Sequence, residues 1–402
     1  TSQGQYNSLV RVDDDTYALA YTGPQNDGFI KTFTIPADGS SITEEFSLEH
    51  NTDNYFNRLL KFYEDTYLLA SNGNGTHFKT FTIPADGASI TKVDSTQINN
   101  SNSSIMSLIK IDHNTVLYSG SGTATYSISS DGSIIEKVPM GGYAINNLNH
   151  SSVLHVEGDI YAVAVRDKIV TYNIPADGSA FTQVTEFDYE DKNISTPPKF
   201  LKLNSQHYVV SYQVISSNKD YHLKLIEISA DGQTITSAGN LTHETNQSSW
   251  ADIALVKVDA NTFALATERA SNYVAIKTFT ANFIDDRAPT MSVIGSSSDN
   301  SSVDIRFSEE VFNTNGASGD LEASDFSLSI SGGTASLTSG TPTSISKIDA
   351  VSWRLGINVS GGGTANGEEI LTVTPASSSI YDEAGNAASS STDGYLTDNA
   401  PP

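Results

Sequence analysis

The sequence predicts an all-β fold, a six-bladed β-propeller followed by a β-sandwich, and three observations support this class. The first is a nine-residue phrase, KTFTIPADG, which occurs at residues 31–39 and again, unchanged, at residues 79–87. Looser copies end at Gly132, Gly178 and Gly232, so that successive glycines are 48, 45, 46 and 54 residues apart. A period in this range, built from short strands and turns, is typical of blade-type repeats.

The second observation is a strand–turn–strand pattern before each copy of the phrase. Apolar and polar residues alternate on both sides of a short polar turn, as the half-buried strands of a hairpin require. Six copies begin at Ser8, Arg58, Ser107, Ser152, Lys199 and Ala254. The phrase adds a third strand and its Asp-Gly turn leads into a fourth. Six four-stranded antiparallel units arranged radially form a six-bladed β-propeller.

The third observation is that no segment shows sustained helical spacing of apolar residues, so we expect very little helix. A linear β-solenoid is the alternative for such repeats, although solenoids prefer shorter coils and parallel strands. The last copy, KTFTANF at residues 277–283, lacks a fourth strand. We expect residues 3–7 to supply that strand and to close a propeller that covers residues 1–284.

A second domain is predicted over residues 285–402. Short strands such as SVDIRFS, DFSLSIS and EILTVTP alternate there with Gly, Ser and Thr turns. About six to eight strands in roughly 110 residues are typical of an immunoglobulin-like β-sandwich, in which Trp353 should pack between the sheets. The linker phrase at Asp286 returns at Asp398, 112 residues later. This spacing indicates a linker to a further domain of a longer protein.

The composition narrows the classes of partner. The net charge is −25, with 47 acidic and 22 basic residues, so a nucleic-acid partner is excluded because phosphate binding needs a basic surface. Cysteine is absent, which removes disulfides and thiolate metal sites. No apolar run approaches the ~18 residues that span a bilayer. The acidic, Ser/Thr/Asn-rich composition favours a secreted or cell-surface protein.

Several phrases in the second domain resemble bacterial immunoglobulin-like repeats. They are FSEEVF at residues 307–312, SDFSLS at 324–329, YDEAGNAA at 381–388 and the DNAPP ending. Such repeats occur in tandem in large secreted or surface-anchored proteins, including adhesins, and the resemblance implies neighbouring immunoglobulin-like domains in the parent chain. The first 283 residues look like a bacterial extracellular propeller. They carry no YWTD, WD or kelch signature, so no family activity follows from them.

Six residues near the predicted domain joint are candidate ligands for Ca²⁺, which takes carboxylate and amide oxygens. The resemblance implies that a linker Asp, the Glu after the second strand and a late Asp converge at the domain end. The alternative is that these are turn residues and solvated acid pairs that need no metal. The candidates are Asp285, Asp286, Glu309, Glu310, Asp382 and Asn386.

Aromatic residues in the irregular loops are candidates for a ligand-binding face, because rings stack on sugars. They are Tyr55, Phe56, Tyr143, Tyr189, Tyr221 and Trp250. No GxSxG, P-loop or HExxH motif occurs. We therefore expect a non-catalytic adhesion or structural protein, whose propeller binds a glycan, a surface or a protein partner. Two alternatives stay open: a polysaccharide lyase or hydrolase with a catalytic propeller, and a subunit of a self-assembling filament or layer.

Overall fold

The structure, a computed structural model, describes residues 4–99, 107–120, 123–139, 151–165, 167–190, 194, 198–214, 220–244, 253–269, 273–281, 283–360 and 365–399. Within these ranges the chain is all-β, as predicted: it has no α-helix and two short 3-10 turns, Pro24–Asn26 and Ala323–Asp325. Two compact units are present. The first contains residues 1–151 and 175–181, and the second contains residues 152–174 and 182–402. The predicted boundary at 284/285 falls inside the second unit and remains a prediction.

Each sequence repeat forms one antiparallel sheet whose strands follow chain order. Sheet one contains β1 (Gln5–Arg11), β2 (Thr16–Thr22), β3 (Gly28–Thr34) and β4 (Thr43–Asn51), and sheet two contains β5 (Tyr55–Tyr63), β6 (Thr66–Asn72), β7 (Thr76–Thr82) and β8 (Thr91–Asn99). Sheet three contains β9 (Ser107–Lys110), β10 (Thr115–Ser119), β11 (Thr123–Ile128) and β12 (Ile135–Lys137).

The remaining repeats continue the same order. Sheet four contains β13 (Ser151–Glu157), β14 (Ile160–Val165), β15 (Lys168–Asn173) and β16 (Thr182–Asp188), and sheet five contains β17 (Lys199–Lys202), β18 (His207–Gln213), β19 (Tyr221–Ile228) and β20 (Ile235–Glu244). Sheet six has three strands among the described residues, β21 (Ile253–Lys257), β22 (Thr262–Arg269) and β23 (Tyr273–Thr280).

The expectation that residues 3–7 complete sheet six is wrong. Gln5 begins β1 and pairs with Thr22 of β2, so this segment is the first strand of sheet one. The same strand continues through Ser8, Leu9 and Val10, which pair with Ala20, Leu19 and Ala18 of β2. That continuity makes it part of the hairpin of its own repeat, rather than a strand for a distant one.

The Asp-Gly turn of the repeated phrase has a clear local cause. The amide of Gly87 donates to the carbonyl of Pro84 at 2.8 Å, and Asp86 Oδ1 accepts from the amide of Ala88 at 3.0 Å. Gly87 has φ 65°, a left-handed conformation that strongly favours glycine. The other four turn glycines, Gly39, Gly132, Gly178 and Gly232, have φ between 64° and 74°.

Successive sheets are connected by one contact that recurs four times, which we call the threonine–glycine joint. A buried threonine in the third strand of one repeat donates its hydroxyl to the carbonyl of the turn glycine in the next. The pairs are Thr32–Gly87 (2.7 Å), Thr80–Gly132 (2.6 Å), Thr125–Gly178 (2.7 Å) and Thr171–Gly232 (2.7 Å). A Cβ on these glycines would lie 2.8–3.3 Å from the threonine Cβ. The joint therefore requires glycine for close approach as well as for φ.

Lysines in the first strands make a second recurring contact. Lys61 donates to the carbonyl of Val12 at 2.6 Å, and Lys110 donates to that of Phe62 at 3.0 Å. In the second unit Lys202 donates in the same way to Val156 at 2.6 Å. The apolar stem of each lysine is partly buried while its ammonium donates to a backbone carbonyl of the preceding repeat.

The C-terminal part of the second unit contains the last nine strands. They are β24 (Met291–Ser296), β25 (Ser302–Phe307), β26 (Phe326–Ser331), β27 (Ser336–Leu337), β28 (Ser344–Lys347), β29 (Ser352–Gly356), β30 (Val359–Ser360), β31 (Ile370–Pro375) and β32 (Thr392–Tyr395). They form sheets β24-β25-β29-β28, β26-β31-β32 and β27-β30. The core between them includes Trp353, which is 2% exposed, as predicted.

Candidate functional site

A pocket of about 350 Å³ lies in the first unit, between the end of β4 and strands β7 and β8 of the next sheet. Its walls carry two imidazoles and two ammonium groups, and no carboxylate is among the residues that line it. They are His50, Asn51, Gly73, Asn74, His77, Lys79, Lys92 and Ser95. In a chain of net charge −25, such a cationic lining favours an anionic or carbonyl-bearing ligand. We call this the histidine–lysine pocket.

The tautomer of His77 is set by its neighbours. Nδ1 lies 3.2 Å from the carbonyl oxygen of Gly75, and only a protonated Nδ1 can donate there. The lone pair is therefore on Nε2. Burial lowers the pKa of His77, so the ring is mostly neutral near pH 7. A neutral imidazole with a free lone pair is suited to act as a general base.

Lys79 and His50 form the inner wall of the pocket. Lys79 Nζ lies 3.3 Å from His50 Nδ1 and donates to the His50 carbonyl at 3.2 Å. Burial, followed by the charge of Lys92, lowers the pKa of Lys79 to about 8. Burial and the charge of Lys79 together lower the pKa of His50 to about 3. The pair thus carries a single positive charge at neutral pH, on Lys79.

The Lys79 contact belongs to the repeat architecture, whereas the charge of the pocket lining differs between repeats. Lys224 donates to the Tyr189 carbonyl at 2.5 Å and Lys277 to that of His243 at 3.0 Å, at corresponding repeat positions. The pocket beside Lys224, about 640 Å³, is lined by Asp167, Lys168, Asp188, Tyr189, Glu190, His222, Lys224 and Asn240. Two of its three carboxylates are already engaged, because Asp188 pairs with Lys168 at 3.6 Å and Glu190 accepts from Tyr212 at 3.0 Å.

Sequence reasoning missed the histidine–lysine pocket. Its residues are spread from position 50 to position 95 and contain no catalytic motif. One signal was present: His77-Phe-Lys79 lies inside a repeat whose first copy reads Phe29-Ile-Lys31. A polar residue that replaces an aromatic one at a repeat position marks a departure from purely structural packing.

A second cluster lies in the second unit, where Asp285, Glu309 and Asp382 bring carboxylate oxygens within 4.8 Å of one another. We call it the carboxylate triad. Asp382 is fully buried and Glu309 is 6% exposed. Glu309 Oε1 is buried and has no hydrogen-bond partner among the described residues. The triad comes from the linker, the segment after β25 and a late turn, and its binding of Ca²⁺ stays a prediction.

The electrostatics of the carboxylate triad disfavour three charged carboxylates without a cation. Burial, then the charges of Asp285 and Asp382, raise the pKa of Glu309 to about 8. Burial, followed by the charge of Asp382, also raises the pKa of Asp285. Lys202 lies nearby, but its ammonium already donates to the Ser308 carbonyl at 2.6 Å. A divalent cation would satisfy this donor set, since hard cations take carboxylate oxygens.

The other three calcium candidates lie outside the triad. Asn386 donates its side-chain amide to Asp382 Oδ2 at 2.8 Å and to the Asp285 carbonyl at 3.1 Å, so it orients these two groups. Asp286 accepts from Gln206 at 3.1 Å. Glu310 is half-buried and does not join the cluster. Their role as Ca²⁺ ligands stays a prediction.

The aromatic candidates do not form one exposed face. Tyr189 and Tyr221 are 1% and 0% exposed. Their rings pack on Tyr212 and His243, with centroids 5.1 and 5.8 Å apart, so both are corrected from ligand-facing to core residues. Tyr55 and Phe56 are half-buried in β5, and Phe56 packs on Tyr6 at 4.3 Å. Tyr143 and Trp250 lie outside the described residues.

Comparisons with known proteins identify the fold of the repeats. No family model matches the chain, and no curated protein matches it. The periplasmic gluconolactonase of Pseudomonas aeruginosa is similar over 68% of this chain and 84% of its own, with a TM-score of 0.50 and 9% identity. A protein from Lactobacillus plantarum is similar over 69% and 85%, with a TM-score of 0.50 and 14% identity. At these identities the likeness shows the fold alone, which is of the propeller type.

These comparisons correct the prediction of a non-catalytic adhesion protein. That prediction relied on the lack of catalytic motifs in the predicted propeller. A protein named as a gluconolactonase has the same fold. The absence of motifs was therefore not evidence against catalysis. In the part of the chain that the structure describes, no helix is long and apolar enough to cross a membrane.

Proposed function

We propose that this chain is a hydrolase that opens a lactone, or cleaves an ester, of an acidic sugar in the histidine–lysine pocket. The observation that carries the proposal is a neutral His77 whose Nδ1 contacts the Gly75 carbonyl at 3.2 Å, beside Lys79 and Lys92. The volume of about 350 Å³ suits a monosaccharide-sized substrate. The gluconolactonase that shares the fold supports carbohydrate lactones as the substrate class.

In the proposed reaction, His77 Nε2 accepts a proton from a water molecule as the water oxygen bonds to the carbonyl carbon. Lys79 and Lys92 place positive charge near the developing oxyanion, which lowers the barrier in a partly dehydrated pocket. The ring C–O bond then breaks, and the imidazolium of His77 returns the proton to the leaving alkoxide. The product is a hydroxy acid, whose new carboxylate the same ammonium groups attract.

The test is hydrolysis of gluconic acid δ-lactone in a pH-stat, corrected for the spontaneous rate. His77→Gln should lower kcat by about 10²–10⁴-fold, the usual contribution of a positioned general base. His222→Gln is the matched control, because His222 occupies the same repeat position beside the acidic pocket and should leave the rate unchanged. No acceleration by the wild-type protein on this or other sugar lactones, or a fully active His77→Gln, would contradict the proposal.

A calcium site at the carboxylate triad is our second proposal. Its support is the buried, unpartnered Glu309 Oε1 within a group of three carboxylates that approach within 4.8 Å. Asp285, Glu309 and Asp382 would hold the ion, and Asn386 would orient two of them. The bound charge would relieve repulsion among the three and stabilise the segment around residue 285.

Calcium titration of EGTA-treated protein tests this second proposal. Added Ca²⁺ should raise the melting temperature of the wild type, and Glu309→Gln should remove most of the increase. Glu310→Gln is the matched control, since it removes one charge from the adjacent residue outside the triad and should keep the response. Equal responses of both variants, or no response of the wild type, would refute the site.

We also propose the immunoglobulin-like assignment for residues 285–402 and a secreted or periplasmic location. Support for the first is the pair of antiparallel sheets around Trp353. Support for the second is the acidic, cysteine-free composition and the periplasmic origin of one protein with the same fold. The predicted count of six blades remains a prediction.

A further inference from the structure

The neutral ring of His50 carries one proton, and its neighbours decide which nitrogen holds it. Lys79 Nζ lies 3.3 Å from His50 Nδ1. An ammonium group can only donate, so Nδ1 has the lone pair and the proton is on Nε2. Nε2 is buried and has no hydrogen-bond partner among the described residues. The inner wall of the histidine–lysine pocket therefore contains a buried N–H donor in addition to the lone pair that meets Lys79.

Asn54 provides a buried acceptor whose orientation is fixed. Its side chain is fully buried, and Nδ2 donates to Asn57 Oδ1 at 2.9 Å and to Thr22 Oγ1 at 3.2 Å. Asn57 cannot be reversed, because its own Nδ2 donates to the carbonyl of Tyr6 at 3.2 Å. The atom of Asn54 that faces Asn57 Oδ1 must therefore be nitrogen. Asn54 Oδ1 points elsewhere, is buried, and accepts from no donor within the described ranges.

Gly28 brings this donor and this acceptor together. A Cβ added at Gly28 would lie 2.7 Å from His50 Nε2 and 2.8 Å from Asn54 Cγ. Gly28 does not have a positive φ, so glycine is required here for space rather than for backbone conformation. The second copy of the repeat has Thr76 at this position. The repeat itself therefore tolerates a side chain, and the imidazole and the amide that pack against Gly28 are what exclude one.

The backbone contact of Lys79 does not need an imidazole. In repeat four, Tyr189 occupies the position of His50, and its carbonyl accepts from Lys224 in the same way. The contact from Lys79 Nζ to His50 Nδ1 is therefore an addition to the repeat architecture. Two acceptors on one residue restrict the ammonium to fewer orientations than the carbonyl alone would.

We propose that Asn54 is a positioning residue for the histidine–lysine pocket: it accepts the Nε2 proton of His50, keeps Nδ1 unprotonated, and so aims the ammonium of Lys79. A small rotation of either side chain, or one bridging water molecule, completes the contact. With the proton on Nδ1 instead, two donors would face each other over 3.3 Å, and the ammonium would turn away. This role rests on the function proposed above, in which Lys79 stabilises the developing oxyanion.

The kinetic test is the pH profile of lactone opening by Asn54→Leu, which removes the acceptor and keeps the size of the side chain. The value of kcat should fall by about 10- to 100-fold, as expected when a charged group is misplaced by about 1 Å. The other titratable groups that line the pocket around Lys79 are His77 on its own strand and Lys92 on β8, and neither is altered.

The two limbs of that profile should respond differently. The alkaline limb should move to lower pH, because His50 Nδ1 then accepts from Lys79 for only part of the time and favours its charged form less. The acidic limb, which His77 sets, should stay in place. An unchanged alkaline limb, or an equal movement of both limbs, would overturn the proposal.

A double-mutant cycle separates positioning from a general loss of packing. In a His50→Tyr background, Asn54→Leu should cause no further fall in kcat, because Asn54 acts on Lys79 only through the imidazole. Thr22→Val is the matched control: it removes one partner of Asn54 Nδ2, leaves Asn57 to hold the amide, and should keep the alkaline limb in place. Losses from His50→Tyr and Asn54→Leu that simply add would contradict the proposal.

Nitrogen NMR of histidine- and lysine-labelled protein tests the same contact without using activity, with the His50 signals assigned by their loss in His50→Tyr. At pH 7 the wild type should have His50 protonated on Nε2. Asn54→Leu should show both tautomers and a lower pKa of Lys79. A proton on Nδ1 in the wild type overturns the proposal, even where Asn54→Leu does not fold. If the wild type opens no lactone, the proposed function fails, and these spectra alone decide the role of Asn54.

Discussion

Acid should destabilise the first unit through His50, and tyrosine at this position should remove the effect. Burial and the charge of Lys79 lower the pKa of His50 from 6.5 to about 3 in the folded protein. Between pH 6.5 and 3, His50 therefore binds a proton in the unfolded chain but stays neutral in the folded one. The contribution to stability is fully present above pH 6.5 and is lost as the pH falls toward 3. At pH 4.5 the loss is about 2.7 kcal/mol, from about 1.36 kcal/mol per pH unit.

The assay is urea unfolding at pH 7 and pH 4.5 for the wild type and for His50→Tyr. Tyrosine is a suitable replacement because Tyr189 occupies the same repeat position, and its carbonyl accepts from Lys224 as the His50 carbonyl accepts from Lys79. Other titrating groups are common to both proteins and cancel in the difference. The wild type should lose about 2–3 kcal/mol more than the variant. Equal losses would show that His50 is protonated in the folded state and would refute the electrostatic account of the pocket.

Three further predictions follow from the joint, the pocket and the triad. Gly132→Ala should lower the free energy of unfolding in urea by about 3 kcal/mol, because the added Cβ combines a left-handed φ with contact against Thr80. Gly39→Ala, with a similar φ and no atom within 4 Å of the added Cβ, should cost only about 1 kcal/mol. Equal costs would refute the threonine–glycine joint. The rate of lactone hydrolysis should have a bell-shaped pH profile, rising as His77 loses its proton below pH 6.5 and falling near pH 8 as Lys79 loses its own. A rate that still rises at pH 9 would contradict these roles. Calcium should protect the segment around residue 285 from hydrogen exchange in the wild type but not in Glu309→Gln, and equal protection would contradict the triad.

The repeats were predictable because local chemistry and fold agree in them. Gly132 and the other turn glycines need a left-handed φ, and the alternation of apolar and polar residues around each hairpin sets its register. Both signals therefore lie within a few residues of sequence. Residues 3–7 were assigned to sheet six instead of β1 because pairing between distant segments leaves no local signal in the sequence. The repeat pattern also gave no indication of the threonine–glycine joint. Thr80 was interpreted as one more strand residue, although its hydroxyl donates to the carbonyl of Gly132, 52 positions away.

The candidate sites were predictable only in part, for the same reason. The carboxylate triad was found because Asp285, Glu309 and Asp382 lie in phrases that resemble a known domain type. Asn386 was chosen for its side-chain oxygen, and only the fold shows that its side-chain nitrogen donates to Asp382 and Asp285. The histidine–lysine pocket joins Lys79 to His50, 29 residues apart, in a position where other repeats place structural contacts. The lowered pKa values of Lys79 and His50 depend on their burial in the fold, which a short segment of sequence does not show.

The most direct test of the central claim is the rate of sugar-lactone opening by the purified chain. The account predicts a rate above the spontaneous one that is lost in His77→Gln and retained in His222→Gln, with both variants folded as judged by circular dichroism. A wild-type rate equal to that of buffer, or loss of activity in both variants alike, would show that the histidine–lysine pocket is not a catalytic site.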